Sequence, residues 1–284
     1  MYSLTSTAST KNMLKTGLCA LFLTAAACAH AGDSLDRIMN TQVIRIANTQ
    51  TSPPWSMLGA DNKPTGYDVA VAKELAKRMG VAKVEFVADT YKNFVSGLKT
   101  SKYDLVMNDL TPTTERKKQI DFSIPYGVEQ FRIFVHKKDT DIVDQATLAG
   151  KRVGVSSGSS NESWSRAHLT NSDIRTYDNG SLIFRDLAIG RIDAVIISHF
   201  GGMKYANANN VPTKEVGQPL TYQLAAAGLA KNQPELLAAV NKGLESMLKD
   251  GTIEKLSKEF VGADYAMLES IEKAKAEIAA ASGN

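Results

Sequence analysis

Two stretches of this chain, Phe94 to Asn108 and Ile183 to Ile197, repeat one pattern at a constant offset of 89 residues. Leu98 matches Leu187, Ser101-Lys102 matches Gly190-Arg191, Asp104 matches Asp193, and the apolar run Leu105-Val-Met107 coincides with Ala194-Val-Ile196. Each stretch reads as helix, tight turn, Asp and buried strand, the second half of a parallel βαβ unit. The chain is therefore expected to use one α/β plan twice. Open parallel sheets bind ligands just outside the carboxyl ends of their strands. By the same offset Asp109 and Ser198 fall just past the ends of equivalent strands, so two facing lobes would present both positions to a shared cleft.

Other elements extend this plan. Ile44-Arg-Ile46 and Val84-Glu-Phe-Val87 read as strands, and Asp68 is placed to cap a helix whose stripe Val69, Ala72, Leu75, Ala76 and Met79 stops at Gly80. Arg152-Val-Gly-Val155 opens the second lobe, reached through Phe131–Val135, and the chain returns through Ala225–Ala230 before a long helix that Pro234 starts. Two crossings imply a hinge rather than a loose linker. The segment 266–284 is rich in Ala, Glu and Lys with weak helical patterning, and is expected to hang off the fold as a helical or disordered tail.

The N-terminus reads as an address. Lys11 and Lys15 precede an apolar run from Leu18 to Cys28, and Ala29-His30-Ala31 matches an A-x-A cleavage site, so residues 1–31 form a signal peptide and the exported chain begins at Gly32. A rival reading lipidates Cys28, although no Leu stands where a lipobox requires one. Both cysteines lie in the leader, so the exported chain holds neither disulfide nor free thiol. Losing the leader removes two Lys and no acid, taking the formal charge from +3 to +1. Near neutrality argues against a nucleic-acid partner. The scattered His136, His168 and His199 give no metal motif, no phosphate loop is present, and no cofactor is expected.

The most chemically specific stretch is Asn108-Asp-Leu-Thr-Pro-Thr-Thr-Glu-Arg116, followed by Asp121-Phe-Ser-Ile-Pro-Tyr126. It ends a buried strand in small polar groups and supplies one guanidinium, the equipment for holding a small carboxylate. Together with Pro54-Trp55, Gly66-Tyr-Asp68, Leu148-x-Gly-Lys-Arg-Val-Gly-Val155 and Gly190-Arg-x-Asp193, it makes the chain from about Val43 to Val261 resemble the family 3 periplasmic solute-binding proteins, the polar amino-acid binders of ABC transporters.

That resemblance implies a type II periplasmic-binding-protein fold, α/β, with two lobes, each a central mixed sheet flanked by helices. Lobe 1 is expected at 40–135 and 228–265 and lobe 2 at 136–227. It implies a periplasmic monomer that captures an amino acid or related small carboxylate by lobe closure and presents it to a membrane permease. Carried over by position, Arg116 grips the ligand carboxylate with Thr111 and the N–H groups of Ser159 and Ser160, aided by a helix N-terminus near Asn161. Ser52, Trp55 and Tyr91 form side-chain walls.

One departure limits the identity of the ligand. Amino-acid binders of this family hold the ligand ammonium with an Asp just past the second-lobe strand, where this chain has Ser198; Thr49 stands where a second carboxylate is common. Either Asp109 supplies the missing charge from the opposite lobe, or Asn108, Ser198 and His199 read hydroxyl or amide groups of a ligand without an ammonium. The competing function is an enzyme on the same fold, resembling cyclohexadienyl dehydratases, with Asp109 or Glu162 as general acid.

Overall fold

The computed structural model describes residues 34–282. The expected signal peptide, with Cys19 and Cys28, lies outside the described residues. In chain order the elements are α1 (Ser34–Thr41), β1 (Val43–Asn48), a small sheet of β2 (Thr51–Ser52), β3 (Ser56–Leu58) and β4 (Pro64–Thr65), then α2 (Tyr67–Arg78), β5 (Lys83–Ala88), α3 (Tyr91–Lys99), β6 (Leu105–Val106) and α4 (Thr114–Lys117). The long strand β7 (Ile120–His136) follows, then β8 (Arg152–Ser156), α5 (Ser160–His168), β9 (Asp173–Tyr177), α6 (Gly180–Ala188), β10 (Ala194–Ser198) and α7 (His199–Ala208). A second long strand, β11 (Thr213–Ala230), leads to α8 (Pro234–Lys249), α9 (Thr252–Phe260) and α10 (Met267–Ser282).

One sheet runs through the molecule in the order β5-β1-β6-β11-β7-β10-β8-β9. Its two ends are parallel trios, β5-β1-β6 and β10-β8-β9, joined by the antiparallel pair β7 and β11. The connections between lobes are thus continuous strands. Pairing slips where Ile133 faces Val216 but Phe131 faces Thr221, so Gly217–Leu220 bulge out and the ribbon bends between its halves.

Packing follows the bend. One set of buried residues gathers both ends of the chain, including Ile44, Leu105, Tyr126, Val240 and Ile271, with a satellite around Phe94 and Tyr103. Another set, on the far side of the bend, contains Ile133, Val153, Ile196, Phe184 and Val195.

The 89-residue echo has a covalently distinct but geometrically matching clamp in each trio. The Arg45 guanidinium donates to Asp104 Oδ1 at 2.7 Å while the Arg45 N–H donates to Oδ2 at 2.8 Å, and Arg152 does the same to Asp193 at 2.5 and 2.8 Å. In each case the Asp precedes the buried strand and ties it to the first strand of its trio. The turns before them have positive φ, 55° at Ser101 and 68° at Gly190.

Two expectations are corrected here. Within the expected tail, residues 266–282 do not hang off the fold: α10 lays Met267, Ile271 and Ala274, spaced four and three apart, into the core, each at most 2% exposed. The stripe is weak in sequence because Ala supplies part of it. Asp68 does not cap α2, whose N-cap is Gly66 with φ 118°. A Cβ at Gly66 would stand 2.5 Å from the Trp55 carbonyl oxygen, so the chain enters α2 too closely for any other residue, and Asp68 turns into the core instead.

Candidate functional site

A narrow cavity of about 40 Å³ opens where the carboxyl ends of the two parallel trios meet. Lobe 1 contributes Ser52, Pro53, Trp55, Tyr91 and Asp109; lobe 2 contributes Ser156, Ser159, Asn161, Ile197, Ser198, Gly201 and Tyr205. Seven of the eleven sequence-predicted positions therefore line it: Ser52, Trp55, Tyr91, Asp109, Ser159, Asn161 and Ser198. Pro53, Ser156, Ile197, Gly201 and Tyr205 were not foreseen, as no motif marks them.

Arg116, Thr111 and Ser160 are not among the residues that line the cavity and meet instead at a seam between the lobes. The Arg116 guanidinium is 8% exposed and donates to the carbonyls of Thr111 and Gly158, both at 2.9 Å. Thr111 Oγ1 and Ser160 Oγ are 3.1 Å apart across the same seam. A guanidinium has five N–H donors and no acceptor. Among the described residues no carboxylate stands within ion-pair distance of it, so this is a buried cation held only by carbonyls. Burial lowers its proton affinity, which Tyr91 and Asp109 oppose. A bound anion would relieve that situation directly.

Further contacts span the lobes at the rim. Lys92 Nζ reaches Asp178 at 2.8 Å, and the Tyr205 hydroxyl donates to the Thr51 carbonyl. With about 40 Å³ between the walls, against the ~10–15 Å³ a single water requires, a small solute enters only when the lobes stand further apart.

Asp109 brings a carboxyl to the cavity, with Asp68 and Glu129 buried nearby. Asp109, at φ 49°, has Oδ1 buried without a partner. Burial first, then Glu129 and Asp68, push its carboxyl well above the usual range, and Arg116 pulls the other way. Asp68 accepts from the Tyr126 hydroxyl at 2.6 Å and from the Asp109 N–H at 2.7 Å; burial raises it to about 7 against those bonds. Glu129, on β7 at the bend, was missed. A lone Glu in the apolar crossing Tyr126-Gly-Val-Glu-Gln-Phe131 was the available signal, since strand interiors rarely bury an acid without a purpose.

The model of bacterial extracellular solute-binding proteins, family 3, matches residues 44–263. The chain belongs to that family. It is 33% identical over 231 residues to the L-cystine-binding protein TcyJ of Escherichia coli strain K12, covering 81% of this chain and 86% of the relative. An ancestral arginine-binding protein bound to glutamine is 35% identical with a TM-score of 0.74, covering 78% of this chain and 98% of its own. The ancestral amino acid-binding protein AncCDT-1, a precursor of cyclohexadienyl dehydratase, is 34% identical with a TM-score of 0.75, covering 80% and 99%. The type II two-lobe fold inferred from the motifs is the one these structures share.

Within this family member, several side chains stand elsewhere than the motifs suggest. Asn108 is fully buried and committed: Oδ1 accepts from Ser56 Oγ at 2.5 Å and the Thr49 N–H at 2.8 Å, and Nδ2 donates to the Tyr91 hydroxyl at 2.7 Å. It orients Tyr91 rather than facing the cavity. Tyr91 begins α3, and its hydroxyl donates to the Asn108 carbonyl at 3.0 Å. His199 turns from the cleft to place Nδ1 2.5 Å from Glu215 Oε1. Glu162 is tied to the Gly158 N–H at 2.7 Å and to Arg166 at 2.9 Å, which removes it as a cleft acid. Trp55 stacks edge-on against Tyr67 with centroids 5.6 Å apart, and its buried Nε1 has no partner.

Helix α5 starts at Ser160 with Ser159 as N-cap, the Ser159 hydroxyl accepting the Glu162 N–H at 3.2 Å. Its N-terminus meets the same seam as Arg116, so helix dipole and guanidinium both favour an anion there.

Proposed function

We propose that this chain captures an amino acid, or a related small carboxylate, by closing its lobes and delivers it to the permease of an ABC importer. The observation that carries this reading is the buried Arg116 guanidinium at the lobe seam, with no carboxylate within ion-pair distance among the described residues. The ligand carboxylate takes the place of a carbonyl on Arg116 and receives N–H groups from the start of α5. The ligand ammonium goes to Asp109 Oδ1, which has no partner of its own. Trp55, Tyr91 and Ser52 flank the side chain, with Ser198 and Asn161 opposite. A ligand bound to both lobes favours the closed state by contacts that the open state lacks.

Export follows from the leader: residues 1–31 direct the chain outward and are cleaved after Ala31. The exported protein acts as a monomer in two lobes, 40–135 with 228–265 and 136–227. Among the described residues no helix is long and apolar enough to cross a membrane.

The test is a thermal-shift panel of L-cystine, L-arginine, L-histidine, L-glutamine and small organic acids, followed by calorimetry on any hit. An amino acid that binds Arg116→Met about 10- to 100-fold more weakly supports the assignment, since a lost charge-assisted hydrogen bond costs roughly 1.5–3 kcal/mol. Unchanged affinity refutes it.

A second reading rests on the raised proton affinity of Asp109 and the likeness to a dehydratase precursor: a carboxyl that keeps its proton is equipped as a general acid. Turnover of prephenate or arogenate, lost in Asp109→Asn, would establish it; no turnover leaves capture as the function.

A further inference from the structure

On the bend between the lobes lies a second and larger cavity, of about 330 Å³, within the roughly 300–1,000 Å³ of small-molecule sites. Glu129 and Gln130 enter it from the crossing strand, Arg132 and Glu215 from the second-lobe half of the β7–β11 ribbon, His199 and Phe200 from the first turn of α7, and Tyr265 from the loop before α10. Charges here pair off except for one. Glu215 is held on one oxygen by Arg132 at 2.8 Å and on the other by His199 at 2.5 Å. Glu129 is 1% exposed; its Oε1 accepts the Phe200 N–H at 3.1 Å, and its Oε2 is buried without a partner.

The remaining wall is aromatic. Phe200 meets Tyr265 edge-on at 4.8 Å and His199 at 4.7 Å. One free carboxylate oxygen is too few for a hard metal ion, which collects six or more oxygens. A carboxylate beside ring faces suits an organic cation, which gains from both.

We propose that this hinge cavity binds a small organic cation, a guanidinium or primary ammonium group held by Glu129 Oε2 against the Phe200 and Tyr265 rings, separately from the ligand cleft. Because the walls come from both lobes, the occupant senses the angle between them. It also neutralises Glu129, one of the charges that burdens Asp109 in the cleft.

The probe is methylguanidinium chloride titrated into isotope-labelled exported protein, with sodium chloride at equal ionic strength as control. Saturable amide shifts at His199, Phe200 and Tyr265, seen only with methylguanidinium and weakened at least about tenfold in Glu129→Gln, are the expected result. Binding should strengthen as pH rises beyond the ordinary carboxylate range, because burial holds the Glu129 carboxyl well above that range while guanidinium stays charged throughout. The charged and titratable groups around Glu129 are Asp109, Glu215, His199, Arg132 and Tyr265. Shifts that never saturate, shifts confined to Asp109, Ser159 and Ser198 in the cleft, or a Glu129→Gln titration identical to wild type overturn the proposal. If Glu129→Gln does not fold, nuclear Overhauser contacts in the wild type between the probe methyl and the Phe200 and Tyr265 rings decide it: present, the site stands; absent, it falls.

Discussion

Asp109 and Asp68 share one buried corner, and their hydrogen bonds separate what each does. Asp68 is satisfied, by the Tyr126 hydroxyl and the Asp109 N–H, yet burial still raises it to about 7. A carboxyl raised on folding stabilises most below its unfolded value near 4, and that contribution fades as pH climbs through the folded value. Over about pH 4 to pH 7 the wild type should therefore lose up to about 4 kcal/mol relative to Asp68→Asn, measurable as urea unfolding of both proteins across that range. A constant difference would show that Asp68 is ionised throughout. Asp109 keeps an oxygen without a partner and so is the group left for a ligand cation. Ionising it against burial, Glu129 and Asp68 means that an ammonium displaces a proton, so amino-acid affinity should rise with pH on the acid side, and Asp109→Asn should abolish both affinity and slope in calorimetry. The cleft position of Asp109 was readable from the 89-residue offset to Ser198. Its acid neighbours were not, because Asp68 sits where a helix cap is normal and Glu129 lies in a crossing with no motif.

At the level of elements, apolar patterning carried the strands and the amphipathic helices, since burial marks every third or fourth residue of a helix and the short apolar runs of buried strands. It failed where small residues do the packing. Helix α10 buries Met267, Ile271 and Ala274 against the core of the first lobe but leaves Ile278 41% exposed, so its stripe is short and one of its three buried positions is Ala. Because α10 packs on both β7 and β11, it braces the ribbon at the end where the lobe folds. Ile271→Ala should destabilise by about 2–4 kcal/mol, as large-to-small changes in packed cores do, with urea unfolding as the measurement; a loss under about 0.5 kcal/mol, the scale of an ordinary surface change, would mean the helix is loosely held. The bend was equally hard to foresee. Phe131–Val135 and Ala225–Ala230 were legible as crossings, but only register shows that they belong to strands of 17 and 18 residues that slip past one another at Gly217–Leu220.

For the molecule as a whole, the seam between lobes is where fold becomes function, and Gly158 is one of its close approaches. Its φ is 73°, its carbonyl receives the Arg116 guanidinium, and a Cβ there would stand 2.6 Å from both the backbone nitrogen and the Cα of Lys92 on the opposite lobe. Backbone atoms cannot yield as a flexible side-chain tip can, so an added methyl holds the lobes apart. The left-handed conformation adds roughly 1–2 kcal/mol of strain for a non-glycine residue, which is modest beside the stability of a domain. The nearby Lys92–Asp178 pair is solvent-exposed and worth about 0–1 kcal/mol, too little to pull the seam closed against a steric clash. Gly158→Ala should therefore fold with a melting temperature close to wild type yet fail to compact when ligand is added. Small-angle scattering supplies the readout: the wild-type radius of gyration falls on saturation with the amino acid identified in the panel, whereas that of the variant stays at its open value and its affinity drops about tenfold or more, as expected when the binding-competent state is depopulated. Full compaction of the variant at unchanged affinity would mean that the ligand-bound seam lies elsewhere than at Gly158 and Lys92, and the closing mechanism would have to be rebuilt around a wider cleft.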